Sequence, residues 1–149
     1  MCGPYFEKGA LTQEWNAATK ALDGYHIHIY GTDAPDGSDK MEILELTTKI
    51  RTLFPEHVKG IFDVGVVGPH AQANTEIEIT KEGFGEIVSW LQMNATQSMS
   101  ILIHPETEDV LKDHLDSAMW IGKPVAFNDN FFDRIKASQA KHVKKTQQP

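Results

Sequence analysis

Cysteine is all but missing from this chain of 149 residues, where Cys2 stands alone. An internal disulfide is therefore impossible and a thiolate-ligated metal cluster is excluded, which sets the expectation of a reducing, cytoplasmic setting. Long hydrophobic runs are missing as well. No segment approaches the roughly 20 apolar residues that cross a bilayer, and the first residues lack the apolar stretch of a secretory leader. Positive charge is in short supply: 14 Lys and Arg stand against 21 Asp and Glu, a formal net charge of -7, so the surface as a whole repels nucleic acid and anionic membranes. The C-terminal "KASQAKHVKKTQQP" runs against that trend, yet no aromatic residue is interleaved with its lysines, and it reads as a disordered basic tail over 135–149.

What is present suits one domain, expected over 24–134, with 1–23 as an arm or short helix. "GYHIHIYG" alternates isoleucine with polar rings at period 2 and reads as a strand. Gly31, Pro35 and Gly37 break it, and Ile43, Leu46, Ile50 and Leu53 then recur at helical spacing. "IFDVGVVG" and the faultless alternation of "TEIEIT" are two further strands. Phe84, Ile87, Val88 and Leu91 define a second helix, and "MSILIHP" is a fourth strand. Thr107 is placed to cap a last helix, with Glu108 and Asp109 in its first turn. Strand, helix, strand, strand, helix, strand is the order of the α+β ferredoxin-like (βαββαβ) fold, a four-stranded antiparallel sheet with both helices on one face.

Parity then sorts the chemistry. Successive strand side chains point to opposite faces, so Ile27, Ile29, Ile77, Ile79, Ile101 and Ile103 share the face that packs on the helices. His26, His28, Tyr30, Glu76, Glu78 and His104 share the other. The ferredoxin-like order puts the first strand between the third and fourth, so these tips converge. Histidines and a carboxylate on one surface are the ingredients of a 2-His-1-carboxylate or three-histidine site for iron or another divalent ion. Alternating polar residues on a solvated strand face, with hydrogen-bonded histidines among them, are the competing reading.

The motifs decide in favour of chemistry. "YHIHIY", "VGPH", "WLQMN", "ILIHPET" followed by "LKDH", and "AMWIGKPV" occur in the order found in the DOPA 4,5-dioxygenase family, which this chain resembles over residues 24–127. That resemblance implies a ferredoxin-like subunit paired into a homodimeric α/β barrel. It also implies an Fe(II) cofactor, which zinc can replace, and extradiol opening of a catechol such as DOPA by O2. Carried over by position, His28, His70 and His104 are the expected metal ligands, and Glu76 is either the carboxylate ligand or the partner that fixes an imidazole tautomer. His114 matches the histidine of the "DH" pair and is assigned to catalysis. His26, two residues from a ligand on the same face, is the expected general acid–base, since an imidazole changes charge near neutrality.

Tyr30 and Trp120 are the expected substrate contacts, although both are also ordinary packing residues at strand ends. "GPHAQANTE" lacks the proline that many relatives place after "GPH", and "ATQSMS" lacks a basic residue often found there. A rival from another class remains: a non-catalytic module of the same fold that holds a metal or an aromatic ligand.

Overall fold

A computed structural model describes residues 21–33 and 37–146. The expected N-terminal arm lies largely outside them. The elements run β1 (Gly24–Tyr30), α1 (Ser38–Leu53), β2 (Val58–Val64), β3 (Asn74–Ile79), α2 (Phe84–Asn94), β4 (Ser100–Glu106), α3 (Val110–His114), β5 (Met119–Ile121) and α4 (Asp129–Thr146). The first six follow the order read from periodicity. Every strand pairing is antiparallel, in the spatial order β2-β3-β1-β4-β5.

The parity argument carries directly into packing. Ile27 sits opposite both Ile77 and Ile103, and Ile29 opposite Ile101, so β-branched side chains meet across neighbouring strands. All of them, with Ile79, are fully buried, and they form one core with Ile43, Leu46 and Ile50 of α1 and Ile87, Val88 and Leu91 of α2. This one-sided core leaves the opposite sheet face to polar groups.

Three expectations need correction. The sheet has five strands rather than four, because Met119–Ile121 pairs along β4 with Trp120 opposite Leu102. A three-residue strand is too short to show a period. The turn that ends it requires Gly122 (φ +81°), where a Cβ would stand 2.7 Å from the Met99 carbonyl oxygen.

The second correction concerns the helix after Pro105. It is the single turn Val110–His114, capped by Asp109, whose side chain accepts from the Lys112 N–H, and not by Thr107. Third, residues 135–146 are not irregular, since α4 runs on to Thr146, and 147–149 lie outside the described residues. Phe132, only 3% exposed, anchors that helix, while the lysine-rich stretch beyond shows no apolar stripe long enough to announce it.

A candidate metal centre on the polar sheet face

The centre is assembled from five parts of the chain. Strand β1 supplies His26, His28 and Tyr30. Strand β4 supplies His104, opposite His26 in register, and β3 supplies Glu78 and Glu76, opposite His26 and His28. His70 comes from the turn after β2, where Gly68 takes φ +62° and Pro69 follows. His114 is the last residue of α3.

The turn bearing His70 is tied down by the C-terminal segment. His70 forms an antiparallel bridge with Phe127, and the Asn128 N–H donates to the Pro69 carbonyl at 2.8 Å. Asp113 does the same for α3. It is 4% exposed and accepts from the Thr107 N–H and hydroxyl at 2.9 and 2.7 Å, which pins the turn that carries His114 to the end of β4.

The imidazoles are close. Ring centroids lie 4.2 Å apart for His28 and His70, 3.9 Å for His104 and His114, and 5.2 Å for the parallel rings of His28 and His104. Among the described residues, three sets bring one ligating atom each within 4.8 Å of one another: His26, His28 and His104; His28, His70 and His114; and His26, Glu76 and Glu78. The expected trio His28, His70 and His104 is thus divided between the first two sets, with His28 common to both.

Hydrogen bonds settle the tautomers of three rings. His28 donates from Nδ1 to Asn74 Oδ1 at 2.9 Å, and the Asn74 amide nitrogen donates to the Gln72 carbonyl, which orients the oxygen towards the ring. His104 Nδ1 donates to the Pro105 carbonyl at 2.8 Å and His114 Nδ1 to the Val110 carbonyl at 2.9 Å. Each partner is an acceptor, so each proton sits on Nδ1 and each Nε2 carries a lone pair. The partner that fixes His28 is therefore Asn74. Glu76, expected as one possibility for that role, approaches Nδ1 only to 3.7 Å.

Electrostatics agree. Burial, and then the neighbouring histidines, push His28 down to about 2, His104 to about 3 and His70 to about 4, from an ordinary 6.5, and burial lowers His114 as well. The rings are neutral. Burial raises Glu76 above the usual carboxylate range.

The result is an unresolved repulsion. His28 Nε2 and His104 Nε2 face each other at 3.2 Å, both as acceptors. A cation held by both nitrogens removes that repulsion, and neutral imidazoles tied at the far nitrogen are the donors such an ion takes. The residues present fit a divalent metal.

The remaining predicted residues border this group. His26 Nε2 lies 3.4 Å from Glu106 Oε2 but outside hydrogen-bonding geometry, and among the described residues it has no hydrogen-bond partner although the atom is buried. Tyr30, 1% exposed, bonds His70 Nδ1 at 2.5 Å, and its ring lies 5.9 Å from that of Trp120. Phe127 and Phe132, perpendicular to each other at 5.5 Å, stand about His114.

Sequence reasoning missed Asn74, Glu106, Asp113, Phe127 and Phe132. Parity from Glu76 places Asn74 on the polar face, and that signal was there to be read; the others depend on loop and helix placement. A separate cleft of about 660 Å³ between α1 and the β2–β3 end, lined by Lys40, Leu44, Thr48 and Asp63 among others, contains no histidine and is not this centre.

The model of the Dopa 4,5-dioxygenase family matches residues 25–131. The chain belongs to that family. A DOPA 4,5-dioxygenase of Amanita muscaria is 29% identical to it over 106 residues, 70% of this chain but only 46% of that enzyme. An uncharacterized 21.2 kDa protein of Botryotinia fuckeliana is 30% identical, covering 91% of this chain and 80% of its own length. The crystal structure of a candidate dioxygenase from Nostoc punctiforme superposes with a TM-score of 0.58 at 25% identity, over 78% of this chain and 96% of that one. The family match takes in all five clustered histidines, and a dioxygenase-like function at the family level follows from it.

Proposed function

We propose that the protein is a non-haem Fe(II)-dependent extradiol dioxygenase that opens the ring of a catechol, with DOPA or a close analogue as substrate and both atoms of O2 entering the product. The observation that carries this reading is the facing pair of Nε2 lone pairs on His28 and His104, 3.2 Å apart, each locked by a hydrogen bond at Nδ1. Those two rings would hold the ion together with a third imidazole of the cluster, and Glu76 and Glu78 stand near His26 on the same face. Iron, when bound, supplies the one-electron chemistry that lets a closed-shell catechol react with O2.

The other residues act on protons and on position. His26, whose Nε2 has no hydrogen-bond partner among the described residues, takes a proton from a catechol hydroxyl and later returns it, with the Glu106 carboxylate 3.4 Å away. The aromatic wall of Tyr30, Trp120 and Phe127 excludes water and seats a flat ring. The sheet is ferredoxin-like with one added edge strand, and a second copy closes the half of the polar face where Phe62 remains 49% exposed, giving a homodimeric barrel. Scarce cysteine favours a cytoplasmic home.

The test is reconstitution with Fe(II) under nitrogen, followed by air and a panel of catechols. Oxygen uptake with the appearance of a coloured ring-opened semialdehyde is expected. Tight metal binding with no turnover of any catechol would replace this reading with a non-catalytic binding module.

A further inference from the structure

Charge is not spread evenly along this chain. From Arg134 to Pro149 there are five Lys and Arg and no Asp or Glu, so the residues before them hold nine of the 14 cations against all 21 acids, a formal -12. The basic stretch lies beyond the family match, which ends at residue 131, and α4 carries most of it.

That part of α4 stands clear of its own subunit. Phe131, Phe132 and Ile135 are buried or half-buried and anchor the helix, whereas the six successive residues from Lys136 to Lys141 are all exposed. At about 100° per residue they pass more than once around the helix axis, so no side of this stretch lies on the body. A helix that is polar all round needs ion pairs along its surface or something to lie on, and among the described residues α4 makes no ion pair. Ala137, Ala140 and Lys141, three and four positions apart, share one face: a flat strip beside a cation.

A surface of matching character exists on the open half of the polar sheet face. Glu76, Glu78 and Glu106 are half-buried there, with Lys59 3.9 Å from Glu106. Phe62 among them is 49% exposed, and a Cβ on Gly60 would stand 2.6 Å from its ring and 3.7 Å from Glu78 Oε2, so ring and carboxylate border one spot. The outer face of α1 has no such excess of acid, since Lys40, Lys49 and Arg51 stand among its glutamates.

We propose that the stretch of α4 from Lys136 onward is an arm that lies across the open acidic half of the sheet face of a second copy of this chain, with Ala137 and Ala140 against the Phe62 ring and Lys141 among the carboxylates. The eleven residues from Lys136 to Thr146 extend about 16 Å, within the length of β2 and β3. Charge selects this occupant. At a formal -12 the rest of the subunit repels nucleic acid and anionic lipid, while a second copy offers the arm the sign it lacks, and a two-fold pair makes the contact twice. The inference rests on the paired-subunit part of the reading above and needs neither its metal nor its reaction.

Sedimentation velocity on the metal-free full chain tests it. At about 50 mM salt the protein should be a dimer, and about 500 mM should weaken it by more than about 10-fold, because exposed charges are screened. Lys136→Glu combined with Lys141→Glu should weaken the dimer, and so should Glu78→Lys alone, since each puts like charges opposite one another. Mixed together, the two reversed proteins should pair more tightly than either does by itself, as the reversed arm of one then meets the reversed face of the other.

The salt series requires no variant to fold. A wild-type monomer at the lower salt, including one that binds duplex DNA or anionic vesicles, overturns the proposal, and so does a mixture that fails to pair. A dimer indifferent to salt and to both reversals also overturns it, and would keep the paired barrel while losing the arm.

Discussion

Which nitrogen of an imidazole carries the proton is decided by one neighbour, and at this site that neighbour is a backbone carbonyl for two rings and a side chain for two others. His104 and His114 are oriented by the main chain at Pro105 and Val110, whereas His28 and His70 meet side chains, Asn74 and Tyr30. Among the described residues, His26 Nε2 has no hydrogen-bond partner. A ring free to exchange its proton suits acid–base work, and one locked in a single tautomer suits ligation. His26→Ala should therefore retain its metal, measured by calorimetry, while turnover of the best catechol falls by about 10²-fold or more. Wild-type turnover in that variant would take His26 out of the reaction.

The two elements that deliver His70 and His114 are short and are tied to the sheet by polar locks, whereas β1 and β4 are held by the buried isoleucines of the core. Helix α3 is a single turn, too short to be stable by itself, and is held by Asp113 through Thr107. Asp113→Ala removes two charge-assisted hydrogen bonds from the half-buried N–H and hydroxyl of Thr107 and should cost about 1–3 kcal/mol in a urea titration. An unchanged midpoint would show that the turn is held by something else. The loop bearing His70 is held from the far end of the sequence, through Phe127 and Asn128, so the segment that leads into α4 belongs to the site.

At the scale of the whole molecule, gathering neutral imidazoles in a buried cluster makes the fold sensitive to acid. The folded protein holds His28, His104 and His70 at about 2, 3 and 4, whereas the unfolded chain protonates them near 6.5. Between those limits the unfolded state binds more protons. Stability is therefore complete above pH 6.5 and is lost progressively as the pH falls towards the folded values, by on the order of 1 kcal/mol per histidine per pH unit.

Glu76, raised by burial, works in the opposite sense, but it is one group against three, with His114 adding to the majority. Urea midpoints of the metal-free protein should drop steeply from about pH 6 to about pH 4, and saturating Zn(II) should oppose the drop by binding only the folded state. A midpoint independent of pH over that range would mean that the rings are not buried neutral.

Period-2 alternation is a property of the chain itself, because a strand has only two faces. That is why Ile27, Ile77 and Ile103 could be assigned to the core, and His28, Glu76 and His104 to the opposite face, from their positions alone. The helical stripes of α1 and α2 are local in the same sense. The fifth strand, the single-turn helix and the long C-terminal helix were not legible, since three or five residues carry no period and the lysine-rich stretch exposes no stripe.

The site divides along the same line. Strand parity and ordered motifs pointed to the residues, but they could not say that Asn74 rather than Glu76 orients His28, or that Tyr30 reaches His70. A hydrogen bond between residues 40 or more positions apart depends on how loops and helices dock on the sheet, and only the tertiary structure settles which acceptor an imidazole meets.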